Sequence, residues 1–137
     1  MFRTKDGDHN SYSSSYEVNE LNYDDKVAFQ RQFNSYQKLI ALKQNVDGLH
    51  LNEEEVAENY ITESLNDGKI IKATFKDSKN NVEYIVYHSN GVTTSSDVGA
   101  VVSVEGYELY LDTLNRTIEG TTHTLQPFET LILSKSL

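Results

Sequence analysis

Two adjacent runs decide the fold: Lys69-Ile70-Ile71-Lys72-Ala73-Thr74-Phe75-Lys76 and Val82-Glu83-Tyr84-Ile85-Val86-Tyr87-His88, separated by Asp77-Ser78-Lys79-Asn80-Asn81. β-Branched and aromatic residues recur with a period of two, which places Ile71, Ala73 and Phe75 on one face. The polar cluster between the runs is turn chemistry, so the pair predicts an antiparallel hairpin. Towards the C-terminus the same period continues. Residues 100–104, a turn at Glu105-Gly106 and residues 107–113 read as a second hairpin. A strand near residues 116–119 and a last one over 128–133 bring the number to about six. With no helix between them, these strands predict a mainly β domain, an antiparallel β-sandwich over residues 68–137.

Towards the N-terminus the period changes. Over residues 26–45, Phe29, Phe33, Tyr36 and Ile40 follow a 4-3-4 spacing with Leu39 beside them, which predicts an amphipathic helix whose stripe must be buried. Asp24 or Asp25 supplies its cap, Lys43 suits its far end, and Gly48 lies just beyond. Residues 52–65, with Glu53, Glu54 and Glu55 in the first turn and Val56, Tyr60 and Ile61 at helical spacing, predict a second, shorter helix. Residues 1–23 show no period, are rich in Ser, Asn, Asp and Tyr, and read as a loop.

Composition bounds the function. A chain of 137 residues holds one compact domain and is too short for an eight-stranded barrel of about 250 residues. A net charge of −9, with no Lys/Arg cluster, argues against nucleic acid and anionic membranes as partners. The absence of cysteine excludes disulfides and thiolate metal sites. No signal peptide, membrane span or wall-sorting tail is evident, which favours a cytoplasmic location, with secretion as the alternative.

Three segments carry a resemblance. The first is Phe2-Arg3-Thr4-Lys5-Asp6-Gly7-Asp8-His9-Asn10-Ser11-Tyr12, and the second is Phe33-Asn34-Ser35-Tyr36-Gln37-Lys38-Leu39-Ile40-Ala41-Leu42-Lys43. The third is Leu125-Gln126-Pro127-Phe128-Glu129-Thr130-Leu131-Ile132-Leu133. In this order they resemble the C-terminal region of type I pullulanases, members of the α-amylase superfamily of glycoside hydrolases (family 13). The departures are Lys43, where that family commonly has Arg, and Val46-Asp47, where it has His-Pro. The resemblance implies a last barrel loop and helix at residues 1–46, a connecting helical segment at 47–67 and a C-terminal β-sandwich at 68–137. It also implies that Arg3, Asn10 and Tyr12 border the glucan cleft. The family's catalytic carboxylates have no counterparts in this chain, so the expectation is a non-catalytic piece of a starch- or glycogen-debranching enzyme. Its partners would be that enzyme's barrel and, through the parent protein, α-glucan. Separated from the barrel, the helix stripe predicts self-association with a second copy.

Other chemistries are weaker in the residues. Retaining glycoside hydrolysis needs two carboxyl groups about 5 Å apart, a pairing that the sequence does not single out. His9, His50, His88 and His123 stand singly, outside any zinc-site spacing, and read as surface or core residues. Asp6, Asp8, Asn10, Ser14 and Glu17 match the oxygen positions of a twelve-residue calcium loop, but Ser11 stands where such a loop needs glycine. Neither a cofactor nor a metal is implied. The alternative function is a stand-alone carbohydrate-binding module that stacks sugars on Tyr84, Tyr87, Tyr107 or Tyr110. Alternation puts Tyr84 opposite Tyr87, and Tyr107 opposite Tyr110, so one of each pair is expected in the core.

Overall fold

The computed structural model describes residues 25–90 and 100–137. The chain divides into two units, Met1–Asn34 and Ser35–Leu137. In the first, helix α1 (Asp25–Ala28) is followed at Phe29 by a turn, after which α2 (Gln30–Asn45) begins. The Phe33 N–H donates to the Phe29 carbonyl at 3.0 Å, and Gln30 donates to Asn34 at 2.6 Å, one helical turn on.

The second unit is mainly antiparallel β. A five-stranded sheet has the order β1-β2-β3-β7-β5, with β1 (Ile61–Leu65), β2 (Ile70–Asp77), β3 (Val82–Ser89), β5 (Glu108–Asp112) and β7 (Thr130–Ser136). A two-stranded ladder pairs β4 (Val101–Ser103) with β6 (Thr122–Thr124). The predicted first hairpin is present as β2 and β3, in the register Ala73↔Val86 and Phe75↔Tyr84. Its turn is held by the buried Asp77 carboxylate, which accepts from the N–H groups of Lys79 and Asn80, and by Asn81 at φ 54°.

Alternation gives the sheet two apolar faces. Ile70, Ile85, Tyr87, Leu131 and Leu133 pack with Ala100, Val102, Val104 and Leu125, so the β4–β6 ladder lies over this face. On the other face Phe75, Leu111 and Ile132 pack with Leu42 and Val46 from the end of α2. There the rings of Tyr60, Phe75, Tyr84 and Tyr110 form a row with centroid separations of 5.9, 5.4 and 5.8 Å.

Four expectations need correction. The segments around Glu105-Gly106 do turn, with the Tyr107 N–H donating to Val104, but they do not form a hairpin: β4 pairs with β6, and β5 pairs with β7. Residues 116–119 form no strand, because Arg116 is drawn into a polar cluster and the pairing resumes only at Thr122. The last strand begins at Thr130, two residues late. Pro127 and Phe128 are the central residues of a turn closed by Glu129 N–H donating to Gln126, with Phe128 at φ 62° and 71% exposed. A positive φ at the third position is the type II geometry that normally takes glycine.

The fourth correction concerns the helices. The second one, α3 (Glu53–Asn59), stops six residues early. Its start was legible, since Asn52 caps it and forms a capping box with Glu55. Tyr60 is already extended, and the β-branched Ile61 and Thr62 join β1 opposite Thr74 and Ala73. The β1–β2 turn is Asn66-Asp67-Gly68, all three at positive φ. In α2, the buried residue is Leu42, followed by Val46 just past the helix end. Of the predicted stripe, Phe33 is half-buried, whereas Tyr36 and Ile40 are 50% and 54% exposed and Phe29 and Leu39 are also exposed.

The helix end is fixed by a close approach. After α2 a 3₁₀ turn (Asp47–Leu49) lies on β2, where a Cβ on Gly48 would overlap the Lys76 carbonyl. Asp47 accepts from the Ser78 N–H at 2.8 Å, and Lys43 donates to the Leu49 carbonyl. No helix among the described residues is long and apolar enough to cross a membrane.

Candidate functional site

Arg3, Asn10 and Tyr12, which the resemblance places beside glucan, lie outside the described residues, as do the oxygen ligands of the calcium-like loop. The tyrosines proposed as sugar platforms are described, and the fold uses them internally. Tyr87 is buried and its hydroxyl donates to the Ser103 carbonyl at 3.3 Å. Tyr84 stacks on Phe75 and meets Tyr110 edge-on. Tyr110 donates to the Lys38 carbonyl while Lys38 donates back to the Tyr110 carbonyl, joining β5 to α2. Tyr107 donates to Glu83 and lies under the Lys135 ammonium. Burial and the hydrogen bond to the charged Glu83 push the Tyr107 hydroxyl up to about 12. Tyr84 and Tyr87 do fall on opposite faces, as do Tyr107 and Tyr110, and these four rings form no exposed row.

A cavity of about 430 Å³ opens beside the β1–β2 turn, lined by Leu65, Asn66, Ile70, Tyr87 and residues 100–103. Among the described residues its lining carries no Asp, Glu, His, Lys or Arg side chain.

The concentration of polar chemistry lies elsewhere, where β5, β6 and the turn before β7 meet. Asp112 ends β5 and turns the chain, accepting from Leu114 N–H at 2.7 Å and Arg116 N–H at 2.8 Å. That turn, completed by Asn115 at φ 58°, sends the Arg116 side chain inward. His123 is the middle residue of β6, and Glu129 closes the Pro127-Phe128 turn, so two turns and a strand deliver four ionisable groups to one place.

Glu129 is wholly buried, and its carboxylate is saturated. It takes Arg116 Nη2 at 2.7 and 2.6 Å, Gln126 N–H at 2.6 Å and His123 Nε2 at 2.8 Å, close to the capacity of a carboxylate. Burial alone would raise its pKa. The hydrogen bonds from Arg116, Gln126 and His123, with the Arg116 charge, outweigh burial and hold it below the usual carboxylate range. No protein-family model and no curated protein matches this chain.

Chemically the cluster is an enclosed ionic lock. Its carboxylates, Asp112 and Glu129, are both buried and are tied to donors of the chain itself, so they are not placed to act on a bound sugar. Sequence reasoning missed the set because its members are separated by three, six and five residues and share no periodicity. The available signals were an acidic residue directly after Pro-Phe at the head of an apolar strand, and a histidine between two threonines.

Proposed function

We propose that this chain is a non-catalytic C-terminal piece of a pullulanase-like α-glucan debranching enzyme. Its β region, a sandwich made by the five-stranded sheet and the β4–β6 layer, braces the catalytic barrel through α2. The observation that carries this reading is the uneven use of α2. Its C-terminal end is sunk into the sheet by Leu42, Val46 and Gly48, while Leu39 and Ile40 stay at the surface. An apolar helical face beyond the domain's own core is what a neighbouring barrel would cover. The engagement of Asp112 and Glu129 by donors of the chain itself agrees with a supporting role, as does the internal use of the four tyrosines, which leaves the stand-alone sugar-binding reading less support. Arg3, Asn10 and Tyr12 belong to this proposal as the groups that border the glucan, and the cytoplasm as its compartment.

The test is the size and activity of the native polypeptide. An antibody raised against the chain should capture, from the source cells, a protein far larger than 15.6 kDa that cleaves α-1,6-linked glucan. Capture of a 15.6 kDa protein without that activity would overturn the proposal.

A further inference from the structure

The ligand atoms that Asp112, His123 and Glu129 can offer lie within 4.8 Å of one another. Between the Glu129 and His123 atoms stands one nitrogen, Arg116 Nη2. It lies 2.7 and 2.6 Å from the two Glu129 oxygens, 2.7 Å from the Thr124 carbonyl oxygen and 2.5 Å from His123 Nε2.

An ordinary ion pair leaves two features unexplained. Nη2 carries two hydrogens and can serve only two of the three oxygens around it, while His123 Nε2, already engaged with Glu129, stands at the same point. The Nε of the same guanidinium is buried with no hydrogen-bond partner, 3.8 Å from Asp112 Oδ2. Four nitrogen and oxygen atoms converging on a point, with two negative charges among the surrounding groups, match the donor set and charge of a divalent borderline metal.

We infer that Asp112, His123, Glu129 and the Thr124 carbonyl form a cation site whose resident cation is Arg116, and that a divalent metal of the zinc class can take the place of the guanidinium. Zinc binds nitrogen and oxygen at about 2.0–2.2 Å, so the ligands now around Nη2 need to close in by roughly half an ångström. Asp112 sits farther out and serves as the balancing carboxylate. The Arg116 side chain is one-third exposed, so removing it opens a path from solvent to buried ligands. The inference is independent of the debranching-enzyme reading.

Arg116→Ala in the full chain tests it. The thermal midpoint should fall by roughly 10 °C or more, and Zn²⁺ in modest excess should restore about half of the loss or more. Zn²⁺ should move the wild type by less than about 2 °C, since the guanidinium holds the site. Arg116→Ala with His123→Ala should not respond, and Co²⁺ added to Arg116→Ala should give the visible absorption of low-coordinate cobalt. Absence of recovery, or an equal response in the wild type or the double variant, would overturn the inference. Should Arg116→Ala not fold without metal, the readout becomes Zn²⁺-dependent return of the β-sheet circular dichroism signal, with Arg116→Gln as second variant. No return in either would equally overturn it.

Discussion

The two faces of the five-stranded sheet are covered in different ways. Beneath the β4–β6 ladder the core is mainly aliphatic, with Leu125, Leu131 and Leu133 at zero exposure. On the helix side the cover is thinner: a row of aromatic rings, the last turn of α2 and a 3₁₀ turn seated on β2 through Gly48. The first face is finished by the chain's own residues. Among the described residues the second is finished where α2 ends, and Leu39 and Ile40 lie beyond that closure. Buried area governs the stabilisation, so most of the unit's stability should reside on the first face and the helix should contribute through its end.

The strongest challenge to this contrast is Leu131→Ala, which should cost about 3–4 kcal/mol in denaturant unfolding because a sealed site cannot relax around the cavity. A loss below about 1 kcal/mol would mean that the first face is not the dominant core. Next is Glu129→Gln, expected to cost about 2–3 kcal/mol through weakened hydrogen bonds and an undercompensated Arg116. Because the Glu129 carboxyl titrates lower in the folded chain than in the unfolded one, its contribution is complete above the unfolded value of about 4.3. It is lost as pH falls through the lower folded value. The acid limb of melting temperature against pH should therefore be shallower in Glu129→Gln than in the wild type, and parallel limbs would exclude this group as a contributor.

On the second face Gly48→Ala should cost about 2 kcal/mol, since the added methyl meets the backbone of β2 and the whole turn must move. A neutral result would show that the helix end is not anchored there. The smallest effect is expected at Ile40→Ala, within about 0.5 kcal/mol for the isolated chain. A cost near that of Leu131→Ala would put Ile40 in a core of the chain itself and erase the contrast between the faces.

Legibility in the sequence followed the range of the interactions. β2, β3 and the turn between them were readable because alternation and turn chemistry act over a few residues, and the start of α3 was readable from Asn52 and Glu55. Glu105-Gly106 correctly marked a turn, but a turn does not choose strand partners. Val102 faces His123 in the register and Leu109 faces Leu133, pairings that join distant segments. Residues 61–65 continued the helical spacing of Val56, Tyr60 and Ile61, yet the edge beside β2 and the Asn66-Asp67-Gly68 turn made them a strand. The ionic cluster left only isolated local signals and no shared period, because Arg116 and Glu129 come within 2.6 Å through two unrelated turns.

The sequence by itself determined the mainly β character of residues 68–137, the helix before it and the placement of several turns. These follow from side-chain period and backbone preference, which are local. Only the tertiary structure decided which strands pair, which end of α2 is buried and that Asp112, Arg116, His123 and Glu129 meet. Those outcomes depend on which apolar surfaces cover one another and on which buried charges find a partner once covered, and neither is a property of a short stretch of chain.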